Sequence, residues 1–127
     1  LNVGNPHAIV EAKSLGDQDL QKLGHELSVH PLFAEGVNVS FVNRINRGQI
    51  ELRVYERGAG LTMACGSAAC AAVAAGVRSS QLDQRVQVQQ PGGVLTVSYN
   101  PSSNGLCQEG GAELVYQGSI DHRDFSR

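Results

Sequence analysis

Nowhere in the 127-residue chain is there a run of about 18 consecutive apolar residues, so no membrane-spanning helix is expected. The N-terminus has no basic region followed by an apolar one, so no export leader is read there. Lys and Arg are scattered, ten against twelve acidic residues, and the formal net charge is −2. That pattern offers no footprint for a phosphate backbone, and nucleic acid is not an expected partner. There is no CxxC pair, and the four histidines do not fall at ligand spacing, so no metal site is expected. Three cysteines, Cys65, Cys70 and Cys107, are an odd number without secretory signals; this argues against a disulfide framework and for free thiols. Internal repeats and low-complexity runs are missing too. What is left is the expectation of a soluble, cytoplasmic protein with the length of one compact domain.

Turn and period signals organise that length. Gly4-Asn5-Pro6-His7 reads as a turn after an opening strand without methionine, as in a chain cut from something longer, and residues 8–10 as a short strand. Residues 17–29 repeat Leu20, Leu23 and Leu27 on one helical face, and Pro31 helps to stop that helix. Val37, Val39 and Phe41 alternate with Asn38 and Ser40, the turn residues Asn46-Arg47-Gly48 follow, and Ile50, Leu52 and Val54 alternate with Glu51, Arg53 and Tyr55. This is a β-hairpin pattern. Residues 67–77 are Ala-rich and uncharged, so that helix is buried, with small side chains that let strands wrap closely around it. Strands are expected at 85–89, at 94–99 after Pro91-Gly92-Gly93, and at 112–117 to close the fold; 100–111 reads as a surface loop and 121–127, with His122, as a polar tail. The expected fold is α+β, a mixed and largely antiparallel sheet curled around a central Ala-rich helix.

Chemistry concentrates in one stretch. A strand ends in Glu56 and Arg57, a Gly-rich loop follows, and Cys65 arrives just before the buried helix. The unpaired N–H groups of Gly66, Ser67 and Ala68 at the helix start suit a carboxylate, and the helix dipole favours a thiolate beside them. Such a cysteine can take a proton as thiolate and return it as thiol, which suits reversible proton transfer at the α-carbon of an amino acid. Glu56 suits an ammonium, and Arg57 suits a second carboxylate. The plain alternatives are a core cysteine, a turn made by glycines, and a solvated strand end.

Gly4-Asn5-Pro6-His7, Asn38 between Val37 and Val39, Glu56-Arg57-Gly58-Ala59-Gly60 and Ala64-Cys65-Gly66-Ser67 occur in this order and spacing in the second half of diaminopimelate epimerases. The chain resembles that family to about residue 118. The resemblance implies a two-domain enzyme with neither pyridoxal phosphate nor metal that interconverts LL- and meso-diaminopimelate in the supply of lysine and peptidoglycan precursors. Residues 1–120 would be its C-terminal domain, and its N-terminal domain, with the other catalytic cysteine, would be the missing partner. By position, Cys65 resembles the second-domain acid/base. Glu56 resembles the carboxylate that holds the reacting ammonium and supports that cysteine, and His7 the histidine associated with the opposite cysteine. Asn5, Asn38 and Arg57 resemble the readers of the distal amino-acid end, and Gly66 and Ser67 the backbone donors to the reacting carboxylate.

Leu61, placed in the loop, and Ala68 depart from residues common in the family, glutamate and glycine. Cys70 lies five positions along the helix from Cys65, so it cannot replace the missing cysteine, and it reads as a packed core thiol. Cys107 reads as an exposed, oxidisable thiol, and His25 and His30 as surface residues. A proline-racemase-like enzyme and a non-catalytic binding module of the same fold are the alternatives. A homodimer through area left uncovered by the missing half is also admitted.

Overall fold

The computed structural model describes residues 1–14, 16–121 and 123. Among the described residues, seven strands form one mixed sheet, and two helices pack on it, one on each face. The order along the chain is β1 (His7–Glu11), α1 (Asp17–Ser28), β2 (Asn38–Asn46), β3 (Gln49–Glu56), β4 (Gly60–Thr62), α2 (Gly66–Arg78), β5 (Arg85–Gln90), β6 (Gly93–Asn100) and β7 (Gly105–Glu109). Across the sheet the order is β1-β2-β3-β5-β6-β7, with β4 paired to β3 beyond the reach of β5.

Both helices are crossovers of parallel pairs, β1 to β2 and β3 to β5. β3 runs antiparallel to β2, yet both crossovers step the same way across the sheet. One handedness applied to strands of opposite sense puts the two helices on opposite faces. Alternation then sorts the side chains. Ile50, Leu52 and Val54 of β3 face α2 together with Val86, Val88 and Val97, while Tyr55 joins Val39, Phe41 and Leu20 under α1. The central helix packs five alanines and one valine at 0 to 3% exposure, and it touches strands toward both sides of the sheet, β1 and β2 as well as β6 and β7. The sheet therefore curls around it, as its small side chains require.

Three expectations change. The Gly-rich segment after Glu56 is a tight hairpin, and Leu61 sits in β4 rather than in a loop, opposite Tyr55. Gly58 and Gly60 take φ of +83° and +82°, which explains both glycines of Glu-Arg-Gly-Ala-Gly: the turn needs conformations that a Cβ opposes. The closing strand is not 112–117. Gly105–Glu109, inside the expected loop, pairs with β6 through a turn in which Asn104 takes φ +56° and its Oδ1 accepts from the Tyr99 hydroxyl at 2.8 Å. Residues 111–121 form neither helix nor strand; the consecutive Leu114, Val115 and Tyr116 face solvent, and no strand among the described residues pairs with them. Asp121 and Arg123 form an exposed ion pair, and His122 and 124–127 of the expected tail lie outside the described residues. Among the described residues, no helix is long and apolar enough to cross a membrane.

Candidate active site

The start of β1, the start of β2 and the end of β3 lie at one end of the strands, and the first turn of α2 meets them there through Ser67 and Asn5. The β1–β2 register puts His7 opposite Asn38, the β2–β3 register puts Val39 opposite Tyr55, and the Arg57 N–H donates to Asn38 Oδ1 at 2.9 Å. Six of the residues singled out in the sequence, Asn5, His7, Asn38, Glu56, Arg57 and Cys65, are thus brought to one neighbourhood, with Gly66 and Ser67 at the helix start.

Cys65 is the N-cap of α2, with φ −145° and ψ 113°, and its side chain makes no capping bond. The first backbone donor returned to it is the Ala69 N–H, bonded to the Cys65 carbonyl at 3.1 Å. The N–H groups of Gly66, Ser67 and Ala68 precede the first helical bond, as at any helix start, and present partial positive charge beside the half-buried sulfur. Gly66 has no room for a side chain, because a Cβ there would stand 2.8 Å from Gln108 Oε1. The strand that the sequence concealed, β7, therefore roofs the first turn of the helix.

A hydrogen-bond chain joins the cysteine to the opposite end of the sequence. The Cys65 Sγ and the Ser67 Oγ are 3.4 Å apart, Asn5 Nδ2 donates to that hydroxyl at 3.4 Å, and Asn5 Oδ1 faces His7 Nε2 at 2.9 Å. An amide oxygen only accepts, so His7 carries its proton on Nε2 and Nδ1 is left as a lone pair. That Nδ1 is buried without a partner in a residue 3% exposed. Burial holds the His7 pKa below its ordinary value, the Leu1 ammonium adds to the shift, and Glu56 opposes it. A neutral histidine with an unmatched acceptor results.

Within the chain these side chains have their own partners. Glu56 Oε1 accepts the Thr62 hydroxyl at 2.6 Å, and its hydrogen-bond partner in this chain is Thr62 rather than the Cys65 thiol. Asn5 bonds to Ser67 and His7, not to Arg57 or Asn38, while the Arg57 guanidinium donates to the Glu35 carbonyl and is otherwise exposed. Cys70 is half-buried and packs against the core under α2; its thiol donates to Gln108 Oε1 at 3.8 Å, and burial, then Cys107 and Cys65, push its pKa up. Sequence reasoning missed Thr62 and Gln90. The Gln90 side chain accepts the Cys65 N–H at 2.8 Å.

Residues 1–115 match the diaminopimelate epimerase family along their whole length. The chain belongs to the diaminopimelate epimerase family. Diaminopimelate epimerases of Coxiella burnetii strains Dugway 5J108-111 and RSA 331 are each 48% identical over 118 residues, which are 93% of this chain and 43% of those proteins. The chain thus spans less than half the length of these curated relatives. Among solved structures, a phenazine biosynthesis protein of the PhzF family from Enterococcus faecalis matches with a TM-score of 0.62 at 18% identity, over 77% of this chain and 35% of that one. One from Bacillus anthracis matches with a TM-score of 0.61 at 20% identity, over 83% and 34%. These two likenesses show that the fold of this epimerase-family chain is shared with PhzF proteins.

Proposed function

We propose that this chain is the C-terminal half of an epimerase that interconverts LL- and meso-diaminopimelate by two-cysteine proton transfer, without cofactor or metal. Residues 1–120 form the domain and 121–127 a tail. The missing N-terminal domain supplies the opposite cysteine, and the chain alone is inactive. The observation that carries the reading is the free Cys65 sulfur at the N-cap of α2, beside the Ser67 hydroxyl and the first-turn N–H groups.

The substrate α-carboxylate sits on the N–H groups of Gly66 and Ser67, where the helix dipole stabilises the charge that develops as the α-proton leaves. Cys65 as thiolate takes that proton from one face, and the C–H electron pair stays on the α-carbon. The opposite cysteine, as thiol, delivers its own proton to the other face, and the stereocentre inverts. In the reverse direction the roles exchange. Glu56 holds the reacting ammonium, His7 faces the opposite cysteine through its unmatched Nδ1, and Asn5, Asn38 and Arg57 read the distal amino and carboxylate groups. An Arg pairs well with a distal carboxylate, which proline lacks; this favours diaminopimelate over a proline-racemase-like substrate. The cell compartment that fits is the cytoplasm, and the products feed lysine and peptidoglycan precursors.

The test is α-proton exchange in deuterated water with LL-diaminopimelate under reducing conditions. Silence from the chain alone, and exchange on adding the N-terminal half that disappears with Cys65→Ala, is the expected result. Exchange of proline but not diaminopimelate moves the reading to a proline racemase, and silence in a verified complex of both halves moves it to a binding module.

A further inference from the structure

Strand β5 sends Val86, Val88 and Gln90 inward and Arg85, Gln87 and Gln89 outward. The first two inward residues are 0% exposed aliphatic core under α2, and the third is an amide 5% exposed. Parity calls for an apolar side chain there. The amide instead reaches Cys65, whose N–H it accepts on Oε1 at 2.8 Å. Only the oxygen can accept, so the amide orientation is settled, and Nε2 is left buried without a partner. A packed, orphaned donor is costly, and costs of this kind gather at functional sites.

An N-cap residue ordinarily steadies its helix with its own side chain. Cys65 does not: its sulfur faces Ser67, and no side-chain capping bond is made. The steadying comes from outside. The β5–β6 turn grips the approach to the cysteine at two successive points, the Cys65 N–H through Gln90 and the Met63 carbonyl through the Gly92 N–H at 2.7 Å. At the second point a Cβ on Gly92 would meet the Met63 oxygen at 3.1 Å and the Ala64 Cβ at 3.2 Å, so the approach is as close as backbone allows.

We infer that Gln90 is the positioning residue of Cys65: it holds the N-cap backbone through the Cys65 N–H, so that the sulfur is not drawn into a capping bond and the first-turn N–H groups of α2 stay open. The inference rests on Cys65 acting as the acid/base proposed above. Two variants break the bond by different means. Gln90→Met keeps the length but lacks an amide acceptor, and Gln90→Asn keeps the amide but is one methylene short; Gln90→Glu keeps an acceptor oxygen in place.

Amide hydrogen exchange on the 127-residue chain reads the bond directly. Exchange at Cys65 is expected to quicken about tenfold or more in Gln90→Met and Gln90→Asn, with β5 and β6 amides still protected, and to return toward normal in Gln90→Glu. In the complex with the N-terminal half, α-proton exchange should lose about tenfold in kcat in the first two variants, with KM changed by no more than about twofold, and recover in Gln90→Glu. Unchanged kcat in either folded variant, or loss appearing in KM alone, overturns the inference and leaves Gln90 a core residue. Should Gln90→Met not fold, Gln90→Asn decides by the same two readings. Failure of the parent reading looks different: the unsubstituted complex shows no exchange, while the Cys65 amide still responds to Gln90.

Discussion

The Ser67 hydroxyl lies 3.4 Å from the Cys65 sulfur and receives an amide N–H of Asn5 on its other side. When the sulfur is a thiolate, the hydroxyl is the partner with a proton to donate, and Asn5 holds it in line. Ser67→Ala is expected to lower α-proton exchange in the two-domain complex by about tenfold, the worth of one hydrogen bond to a charged group, and to slow alkylation of Cys65 in the chain alone. Ser67→Thr should restore most of both. Equal alkylation of Ser67→Ala and the unsubstituted chain would show that the hydroxyl does not assist the thiolate.

Thr62 donates to Glu56 at 2.6 Å from the next strand of the hairpin. Its removal frees the carboxylate to move away from a substrate ammonium. Thr62→Val should lower turnover by about tenfold while leaving the thermal midpoint nearly unchanged, because the position is only half-buried. Circular dichroism and the exchange assay on one preparation check both halves of that statement.

Gly24 of α1 faces Tyr55 so closely that a Cβ would stand 2.6 Å from both the Cβ and the Cγ of the tyrosine. Gly24→Ala should cost about 1–3 kcal/mol through overpacking, even though alanine is the better helix former. The urea midpoint should fall without a change in slope; a gain in stability would mean that α1 slides freely on the sheet.

His7 sets a pH window. Its folded pKa lies below the unfolded value of about 6.5, so unfolded chains take up the proton first as pH falls. The stability it contributes is full above the unfolded pKa and is lost as pH falls through the folded one. The urea midpoint should therefore decline from pH 7.5 toward 5.5, and His7→Gln should flatten that decline. Asp17 and Glu109, held below their ordinary values by Arg53 and Arg85, are exposed and titrate in a lower window, so they do not mask the effect.

Leu114 and Tyr116 are 77% and 84% exposed. Replacing both by serine should leave the thermal midpoint of the chain where it was. A drop of several degrees would mean that the segment packs on the body in solution.

The helices and the β2–β3 hairpin were legible because their faces are uniform: Leu20, Leu23 and Leu27 share a stripe, and Ile50, Leu52 and Val54 alternate without a break. β4 was not, since Gly60, Leu61 and Thr62 are too few for a period to show. β7 was hidden for a different reason: all five of its residues are exposed, and it exists through its ladder to β6 rather than through an apolar face. Residues 112–117 carry the β-favouring run Leu114-Val115-Tyr116 without a strand among the described residues to pair with. At the site, Cys65 and Ser67 stood out by residue type and by their place before a buried helix, and Asn5 and His7 through the family resemblance. Gln90 did not, being one of three glutamines in the short strand, though its parity with Val86 and Val88 was a usable signal. Thr62 offered none, because nothing in a Gly-rich segment says which hydroxyl will meet Glu56.

The Asn5 to Ser67 contact spans 62 positions, from the turn before the first strand to the first turn of the second helix. The intervening strands must take their register before those two side chains meet, and closing so long a loop comes late in folding. The environment of the thiol is therefore expected to be assembled after the sheet. On that order of events, Cys65 meets a Ser67 held by Asn5 only once the sheet has formed. Pulsed alkylation during refolding would follow that final step by the arrival of the altered thiol, after the sheet's amides are already protected.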